Sequence, residues 1–345
     1  MAEIVVGITG INSSDNPGPG VGVARSLKEA ADLDVRIVGL AYDALETGLY
    51  LDGLMERSFI IPYGSSGSEA LLERLRYVKS VTGLAFVIPC LDTELPLFSR
   101  IEDELSRAGI ATLLPSAEQF RLRSKDRLAE VAAAIGLDLP KTRVVSSFED
   151  LTAALEELTL PVVVKGTHYN AVRAYTVQEA QDGFHAMLAQ SGYPIIVQET
   201  VTGEELNLIA VGDGAGGNLG QVVMKKLGTT SLGKMWTGVT VRNEPMIEAA
   251  RRFIETYRWR GAFELECIAD GDKTWLIEIN PRFPAWAYFA TAVGVNLPAA
   301  MVRSVFGLPA ATPGRYEAGR LYVRSVEERV TDLDTFQKLV TRGET

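Results

Sequence analysis

The chain has 345 residues, 47% of them hydrophobic and 23% charged. That is too long for one ordinary core and apolar enough to build two or three compact lobes. Its net charge of −10 comes from acidic and basic residues mixed along the whole length, which argues against nucleic acid as a partner. Two histidines and the widely separated Cys90 and Cys267 exclude a His-rich zinc centre and most His-driven nucleophilic catalysis, so any metal must be held by oxygen ligands.

The opening MAEIVVGITG has an acidic residue where a signal peptide wants basic ones, and no run approaches the ~20 apolar residues of a membrane span. A cytoplasmic protein, neither exported nor membrane-embedded, is the expectation. In the first third, Glu3 to Thr9, Val35 to Ala41, Phe59 to Pro62, Leu84 to Pro89 and Ala111 to Leu113 read as strands. Val23, Ala24, Leu27 and Ala31, and later Phe98, Ile101 and Leu105, fall at helical spacing. That alternation predicts a parallel sheet with helices on its faces. The segment TGINSSDNPGPGVG carries four glycines ahead of a helix, but not in the dinucleotide-binding spacing; a tight crossover or a substrate-facing loop fits as well.

After a boundary near Pro115, Ser124 can cap a helix bearing Leu128, Val131, Ala132 and Ile135 and ended by Gly136. A strand at Lys141 to Val145, a helix begun by Ser147 and a strand at Pro161 to Lys165 follow. Thr176 and Glu179 then form a capping box for a helix through Phe184, Met187 and Leu188. Val197 to Gly212, Gly220 to Lys226, Gly261 to Ala269 and Lys273 to Ile279 are strand-like and joined mostly by turns, which predicts an antiparallel sheet. Helices at Met246 to Tyr257 and Leu297 to Phe306 would cover it. The tail from Arg315 is expected to pack as a short terminal element or interface.

The strongest chemical signal is the pair FELECIA and TWLIEINPRF. Alternation puts Glu278, Asn280 and Arg282 on one strand face, and Glu264 and Glu266 on one face of the other. A three-residue loop, Gly271 to Lys273, would set Glu266 opposite Glu278 and Glu264 opposite Asn280. Three carboxylates and an amide would then share a patch. Opposed like charges cost ~0.2–1 kcal/mol or more, and a divalent cation reverses that sign; all-oxygen ligands with open positions suit Mg²⁺ or Mn²⁺. A solvated, salt-bridged outer face is the alternative. Arg282 would bring a planar donor fork to a phosphate oxygen.

Upstream, Lys165 ends the apolar strand PVVVK, where an ammonium is costly unless an anion meets it. Lys125 falls in a predicted first helical turn, a poor place for a cation unless a phosphate shares it. In IIVQETVTGEELNL, the extended connector at Glu199, Thr200 and Val201 can offer backbone groups to an adenine edge, and Glu205 could accept from ribose hydroxyls. Trp236, Arg242 and Trp286 are candidates for an acceptor pocket, with core packing or an ordinary salt bridge as the alternative.

In this order the pieces resemble the ATP-grasp superfamily, especially the branch with carbamoyl-phosphate synthetase and biotin carboxylase. The most specific part is E-I-N-P-R at Glu278 to Arg282 with Glu266 twelve residues before Glu278. The resemblance implies a mixed α/β and α+β architecture: an ATP-grasp fold preceded by a Rossmann-like parallel-sheet domain. The implied divisions are residues 1–118, a small lobe at 119–196, a large lobe with the metal site at 197–312 and an extension at 313–345. It implies Lys125, Lys165, Gln198, Glu199, Thr200, Val201 and Glu205 as ATP contacts, and Glu266, Glu278 and Asn280 as metal ligands. Arg282, Lys165 and Arg173 would act on the transferred phosphate. Asp92 and Glu94 also resemble that branch's first domain.

One departure stands out. Where relatives place a glycine-rich loop over the phosphates, this chain has GTHYNAVRAYTV, so His168, Asn170 or Arg173 would have to supply contacts, or turnover has been lost. The implied activity is Mg-ATP-dependent ligation of a small-molecule carboxylate to an amine through an acyl phosphate, with ADP and phosphate as products. A carboxylase-like or kinase-like enzyme and a non-catalytic nucleotide binder are the rivals. No membrane partner is expected, and a homodimer is the expected assembly.

Overall fold

The computed structural model describes residues 3–14, 16–166, 171–230, 233–310 and 315–345; His168 and Asn170 lie outside these. The first 120 residues build a parallel α/β arrangement. Its elements are β1 (Ile4–Ile8), α1 (Gly20–Lys28), β2 (Val35–Ala41), β3 (Arg57–Ile60), α2 (Ser68–Thr82), β4 (Phe86–Ile88), α3 (Leu95–Arg100), α4 (Glu102–Arg107) and α5 (Ala117–Arg121). The sheet order is β3-β2-β1-β4, all parallel, with Ile4 opposite Val35 and Val6 opposite Phe86.

Every residue of β1 is buried, as a parallel strand covered on both faces requires. One face packs Val6, Ile8, Ile37 and Phe86 against Val23, Ala24 and Leu27 of α1. The other packs Val5, Leu40 and Val87 against Leu71, Leu75 and Val78 of α2 and Phe98 of α3. The strand predicted at Ala111 to Leu113 reduces to a single bridge from Ala111 to Phe86. The helix predicted through Phe98, Ile101 and Leu105 breaks at Ile101, whose ψ of 13° leaves the helical range.

The glycines after β1 have a steric cause. A Cβ on Gly18 would lie 2.2 Å from the Gly10 carbonyl oxygen, and one on Gly20 would lie 2.1 Å from that of Thr9. The loop closes on itself through Gly18 N–H to the Asn12 carbonyl at 2.7 Å and Gly20 N–H to the Gly10 carbonyl at 2.9 Å. Backbone touching backbone accounts for Gly18 and Gly20 without any dinucleotide.

Next come α6 (Leu128–Ile135), β5 (Thr142–Val145), α7 (Phe148–Glu157), β6 (Val162–Lys165), β7 (Ala171–Ala174), α8 (Val177–Ser191) and β8 (Ile195–Glu199). Gly136 ends α6 in the left-handed conformation, as predicted. Ser124 does not cap it: its hydroxyl donates back to the Arg121 carbonyl, and α6 begins only at Leu128. Ser147 and Thr176 do cap α7 and α8, accepting from Asp150 N–H at 3.0 Å and Glu179 N–H at 3.1 Å. The sheet order β5-β8-β6-β7 includes β7, a strand in a segment whose sequence predicts a loop. β7 pairs antiparallel with β6, Ala171 opposite Lys165 and Arg173 opposite Val163. Leu151, Ala154, Phe184 and Met187 of the two helices pack on Val145, Val162, Val164 and Val197.

The remaining strands, β9 (Glu204–Asp213), β10 (Asn218–Thr229), β11 (Met235–Thr240), β12 (Arg260–Asp270), β13 (Lys273–Asn280) and β14 (Leu321–Val323), form a sheet in the order β13-β12-β9-β10-β11-β14. With them come α9 (Glu244–Tyr257), α10 (Ala287–Ala292), α11 (Leu297–Val305) and α12 (Leu333–Arg342). The run read as one strand from Val197 to Gly212 divides at residues 200–203, where a Cβ on Gly203 would lie 2.4 Å from the Ala269 carbonyl oxygen. By contacts the chain forms two compact units: Arg121–Leu206 with Leu265–Ile279, and Met1–Phe120 with Asn207–Glu264 and Asn280–Thr345. Among the described residues no helix is long and apolar enough to cross a membrane.

The crossover loop makes a prediction. Gly20→Ala should lower the unfolding free energy by about 2–3 kcal/mol, the cost of forcing apart a packed contact. Gly64→Ala, whose Cβ would meet nothing closer than 3.8 Å, should leave it nearly unchanged. Urea denaturation of both variants checks this; equal stabilities would contradict it.

Candidate active site

In the unit containing Arg121–Leu206, side chains alternate across β6, so Lys165 points away from the face covered by α7 and α8. Pairing puts Arg173 of β7, Gln198 of β8 and Thr142 of β5 on the same side. A polar relay crosses this face. Lys165 Nζ donates to Gln198 Oε1 at 2.8 Å, Gln198 Nε2 donates to Thr142 Oγ1 at 2.7 Å, and Thr142 donates to the Pro140 carbonyl at 2.7 Å. Each buried group has a partner, so Gln198 fixes where the ammonium sits.

Lys125 reaches the same place from the turn before α6, not from the first helical turn predicted for it, because α6 starts at Leu128. Its Nζ donates to the carbonyl of Gly166, next to Lys165, at 3.0 Å. Burial pushes Lys165 down from 10.5 to about 8, the Lys125 charge adds to the fall, and Glu278 opposes it. Burial also lowers Lys125, again opposed by Glu278. Two ammonium groups are thus held close together, partly out of water, with one carboxylate in electrostatic reach. Such a group is short of negative charge and suited to a polyanion.

The connector after β8 is partly committed. Glu199 N–H donates to the Lys141 carbonyl at 2.9 Å and Thr200 N–H to the Pro161 carbonyl at 3.0 Å, while the Glu199 carboxylate accepts from Thr159 N–H at 3.0 Å. Among the described residues the Val201 N–H makes no hydrogen bond, and Thr200 Oγ1 is buried without one. Any adenine edge would therefore be read by Val201 N–H and the connector's carbonyls. Glu205 lies exposed near the start of β9.

In the other unit the organising group is Glu264, 3% exposed. Its carboxylate accepts from Asn207 Nδ2 and Trp286 Nε1, each at 2.7 Å, from Asn280 Nδ2 at 3.1 Å and from Arg282 Nη1 at 3.4 Å. Arg282 Nε also donates to Asp92 at 2.7 Å. The guanidinium is therefore held by two carboxylates, and the Asn280 amide has its nitrogen on Glu264. Glu94 is buried and accepts from the Thr9 and Tyr42 hydroxyls and from the Cys90 and Leu91 N–H groups. It braces the segment that carries Asp92.

Two expectations are corrected. The β12–β13 connection has two residues, Gly271 and Asp272, not three, so the pairing deduced from loop length does not follow, although Asn280 and Glu264 do meet. The three-carboxylate patch does not form: among the described residues no three His, Cys, Asp or Glu side chains converge to hold a metal. Glu264 is occupied by its four donors. Trp286 serves Glu264 from the core, and Arg242 makes an exposed ion pair with Glu244 at 3.4 Å. The sequence reading missed Asn207, whose signal was a lone amide in the apolar run LNLIAV. It also missed Thr142, which carried no signal.

Residues 192–328 match the family described as ATP-grasp in the biosynthetic pathway with Ter operon. A phosphoribosylamine–glycine ligase of Mycobacterium leprae is 32% identical over 130 residues, 35% of this chain and 31% of that protein. The chain spans about a third to a half of the length of the curated relatives it matches. An ADP complex of an N5-carboxyaminoimidazole ribonucleotide synthetase superposes with a TM-score of 0.71 at 15% identity, covering 92% of this chain and 82% of that one. The biotin carboxylase domain of a Hydrogenobacter thermophilus 2-oxoglutarate carboxylase, solved with MgADP and bicarbonate, gives 0.66 at 15%, covering 90% and 70%. These likenesses show the ATP-grasp fold, its parallel first sheet included.

The depressed Lys165 fixes a stability prediction. The ammonium's burial penalty is complete below about pH 8, fades between about 8 and 10.5, and is gone above. A shift of that size corresponds to about 3 kcal/mol, and partial solvent access reduces it. Lys165→Met is expected to be ~1–2 kcal/mol more stable than the parent at pH 7, with the gain lost toward pH 10.5. Urea unfolding across that range tests this, and a Lys165→Met variant no more stable at pH 7 would contradict it.

Proposed function

We propose that this ATP-grasp protein is a Mg-ATP-dependent ligase that joins a small-molecule carboxylate to an amine through an acyl phosphate, releasing ADP and phosphate. The observation that carries the reading is the placing of Lys125 on the Gly166 carbonyl beside Lys165, with Glu278 in electrostatic reach of both. Two desolvated ammonium groups and one carboxylate are the electrostatic complement of a nucleotide's phosphates with a divalent cation. Support also comes from the phosphoribosylamine–glycine ligases among the relatives and from the ADP and MgADP held by proteins of the same fold.

In this reading Lys125 and Lys165 bind the phosphates, with Gln198 positioning Lys165. Val201 N–H and the carbonyls of the connector Glu199–Thr200 take the adenine edge, and Glu205 the ribose. Glu266 and Glu278, with Asn280 two residues further along β13, are the metal ligands; the donor set is all oxygen, as Mg²⁺ or Mn²⁺ requires. When bound, the cation neutralises phosphate charge during transfer. The substrate carboxylate attacks the γ-phosphorus, ADP leaves, and the amine displaces phosphate from the acyl phosphate. Arg282, held in place by Asp92 and Glu264, stabilises charge on the transferred group. Arg173, on the Lys165 face of the sheet but exposed, adds a second guanidinium from a strand rather than from a covering loop. No protein nucleophile is needed, because catalysis of this kind is positioning and electrostatics.

A second reading, in which bicarbonate takes the phosphoryl group, is favoured by the likeness to a biotin carboxylase domain solved with bicarbonate. A screen of carboxylic acids, amines and bicarbonate for ADP release separates the two, since only the ligase needs an amine for product. Glu278→Gln should abolish release with the fold intact, and Arg173→Ala should lower the turnover number by ~10-fold, or ~1.4 kcal/mol, with nucleotide affinity retained. Oxygen-18 in the substrate carboxylate should appear in the released phosphate. AMP and pyrophosphate as products, or normal turnover by Glu278→Gln, would overturn the proposal.

A further inference from the structure

The unit containing Met1–Phe120 holds a cavity of about 400 Å³ that the proposed nucleotide contacts do not use. It is bounded by the crossover loop before α1, by α10 and by β14, and three guanidinium groups line it: Arg25, Arg320 and Arg324. In a chain of net charge −10, three arginines lining one cavity require a reason. Among the described residues none of the three makes an ion pair. Arg25 lies with its guanidinium carbon 3.8 Å from the centre of the Tyr288 ring, whose hydroxyl donates to Glu29. Arg324 donates from Nη2 to the Ala285 carbonyl at 2.7 Å, and its Nε is buried without an acceptor.

A further cation stands beside the crossover loop. Lys234 donates to the carbonyl of Pro17, in the same crossover loop, at 3.0 Å. Its ammonium is depressed by burial first, then by the charges of Arg282 and Arg324, against the opposing carboxylate of Asp92. Lys234 is thus within electrostatic reach of both the cavity's Arg324 and the guanidinium assigned to the transferred phosphate. Like charges so arranged repel, and an anion among them reverses the sign.

We propose that this cavity receives the acid substrate, and that the acid carries a second anionic group, a carboxylate or a phosphate, besides the carboxylate that is phosphorylated. The inference rests on the ligase reading. Arg25, Arg320 and Arg324 grip the second anion, which planar guanidinium forks can meet through two oxygens at once. Lys234 then holds the reacting carboxylate on the side of Arg282. The volume fits a small metabolite, near the low end of the ~300–1,000 Å³ of ligand pockets. The exposed Leu321 and Val323 at its rim give an apolar wall for the carbon skeleton.

Calorimetric titration of the full chain without nucleotide, at constant ionic strength, tests this with acetate, succinate and 3-phosphoglycerate as probes. Succinate or 3-phosphoglycerate should bind at least ~10-fold more tightly than acetate, a difference of ~1.4 kcal/mol, and the tighter of the two identifies the second anion as carboxylate or phosphate. Arg320→Gln and Arg25→Gln, both at exposed positions, should each weaken that binding by ~10-fold and leave MgATP affinity unchanged. Acetate binding as tightly as both dianions, or dianion binding unaltered in the Arg25→Gln/Arg320→Gln double variant, would overturn the assignment. Dianion binding by a chain that fails to bind MgATP would refute the ligase reading while upholding the anion site.

Discussion

Two ammonium groups drawn together out of water set the terms for this structure. Lys125 and Lys165 flank Gly166, the first donating to its carbonyl and the second to Gln198. Their hydrogen bonds are satisfied, burial depresses both ammonium groups, and the carboxylate of Glu278 opposes that fall. That arrangement destabilises the folded chain at neutral pH. The surroundings hold it in place: α7 and α8 cover the opposite face of the sheet with an apolar layer, and a relay ending at the Pro140 carbonyl fixes the Lys165 head. Strain of this electrostatic kind is relieved when a polyanion arrives, which is how a binding site differs from a merely stable fold.

The other unit solves the reverse problem. Glu264 is almost fully buried, and a carboxylate there is tolerable only because Asn207, Asn280, Arg282 and Trp286 all donate to it. The same bonds orient Asn280 and Arg282, so one buried charge positions two side chains of the proposed chemistry. Removing Glu264 would take from the Arg282 guanidinium one of the two carboxylates that hold it.

Much of this was legible in the sequence because it follows from local patterning. The parallel first sheet follows from strand and helix alternation, the caps of α7 and α8 from Ser147 and Thr176, and the end of α6 from Gly136. Glu264 and Asn280 do meet, although the loop length from which that was deduced was not the one observed. What was not legible depends on contacts far apart in the chain. Ser124 has the chemistry of a cap but spends its hydroxyl on Arg121. Short β7 has no strand signature of its own and exists because β6 offers it an edge. The commitment of Glu264 to four donors needs a fold to bring its strand and loop neighbours together, and the gathering of Arg25, Arg320 and Arg324 around one cavity joins residues hundreds of positions apart. Gly18 and Gly20 were visible, but their cause, carbonyl oxygens of Gly10 and Thr9 about two ångströms from an added Cβ, was not.

The central claim, that Lys125 and Lys165 form a phosphate site kept short of negative charge, is tested most directly by counting protons as ATP binds. Lys165 titrates at about 8 in the free chain, and phosphates placed against it must raise that value. Calorimetry near pH 8 in buffers of different ionisation enthalpy should therefore show net proton uptake on MgATP binding, in excess of any change on the nucleotide itself and absent in Lys165→Met. Tight MgATP binding with the same proton balance in the parent and in Lys165→Met would contradict the account.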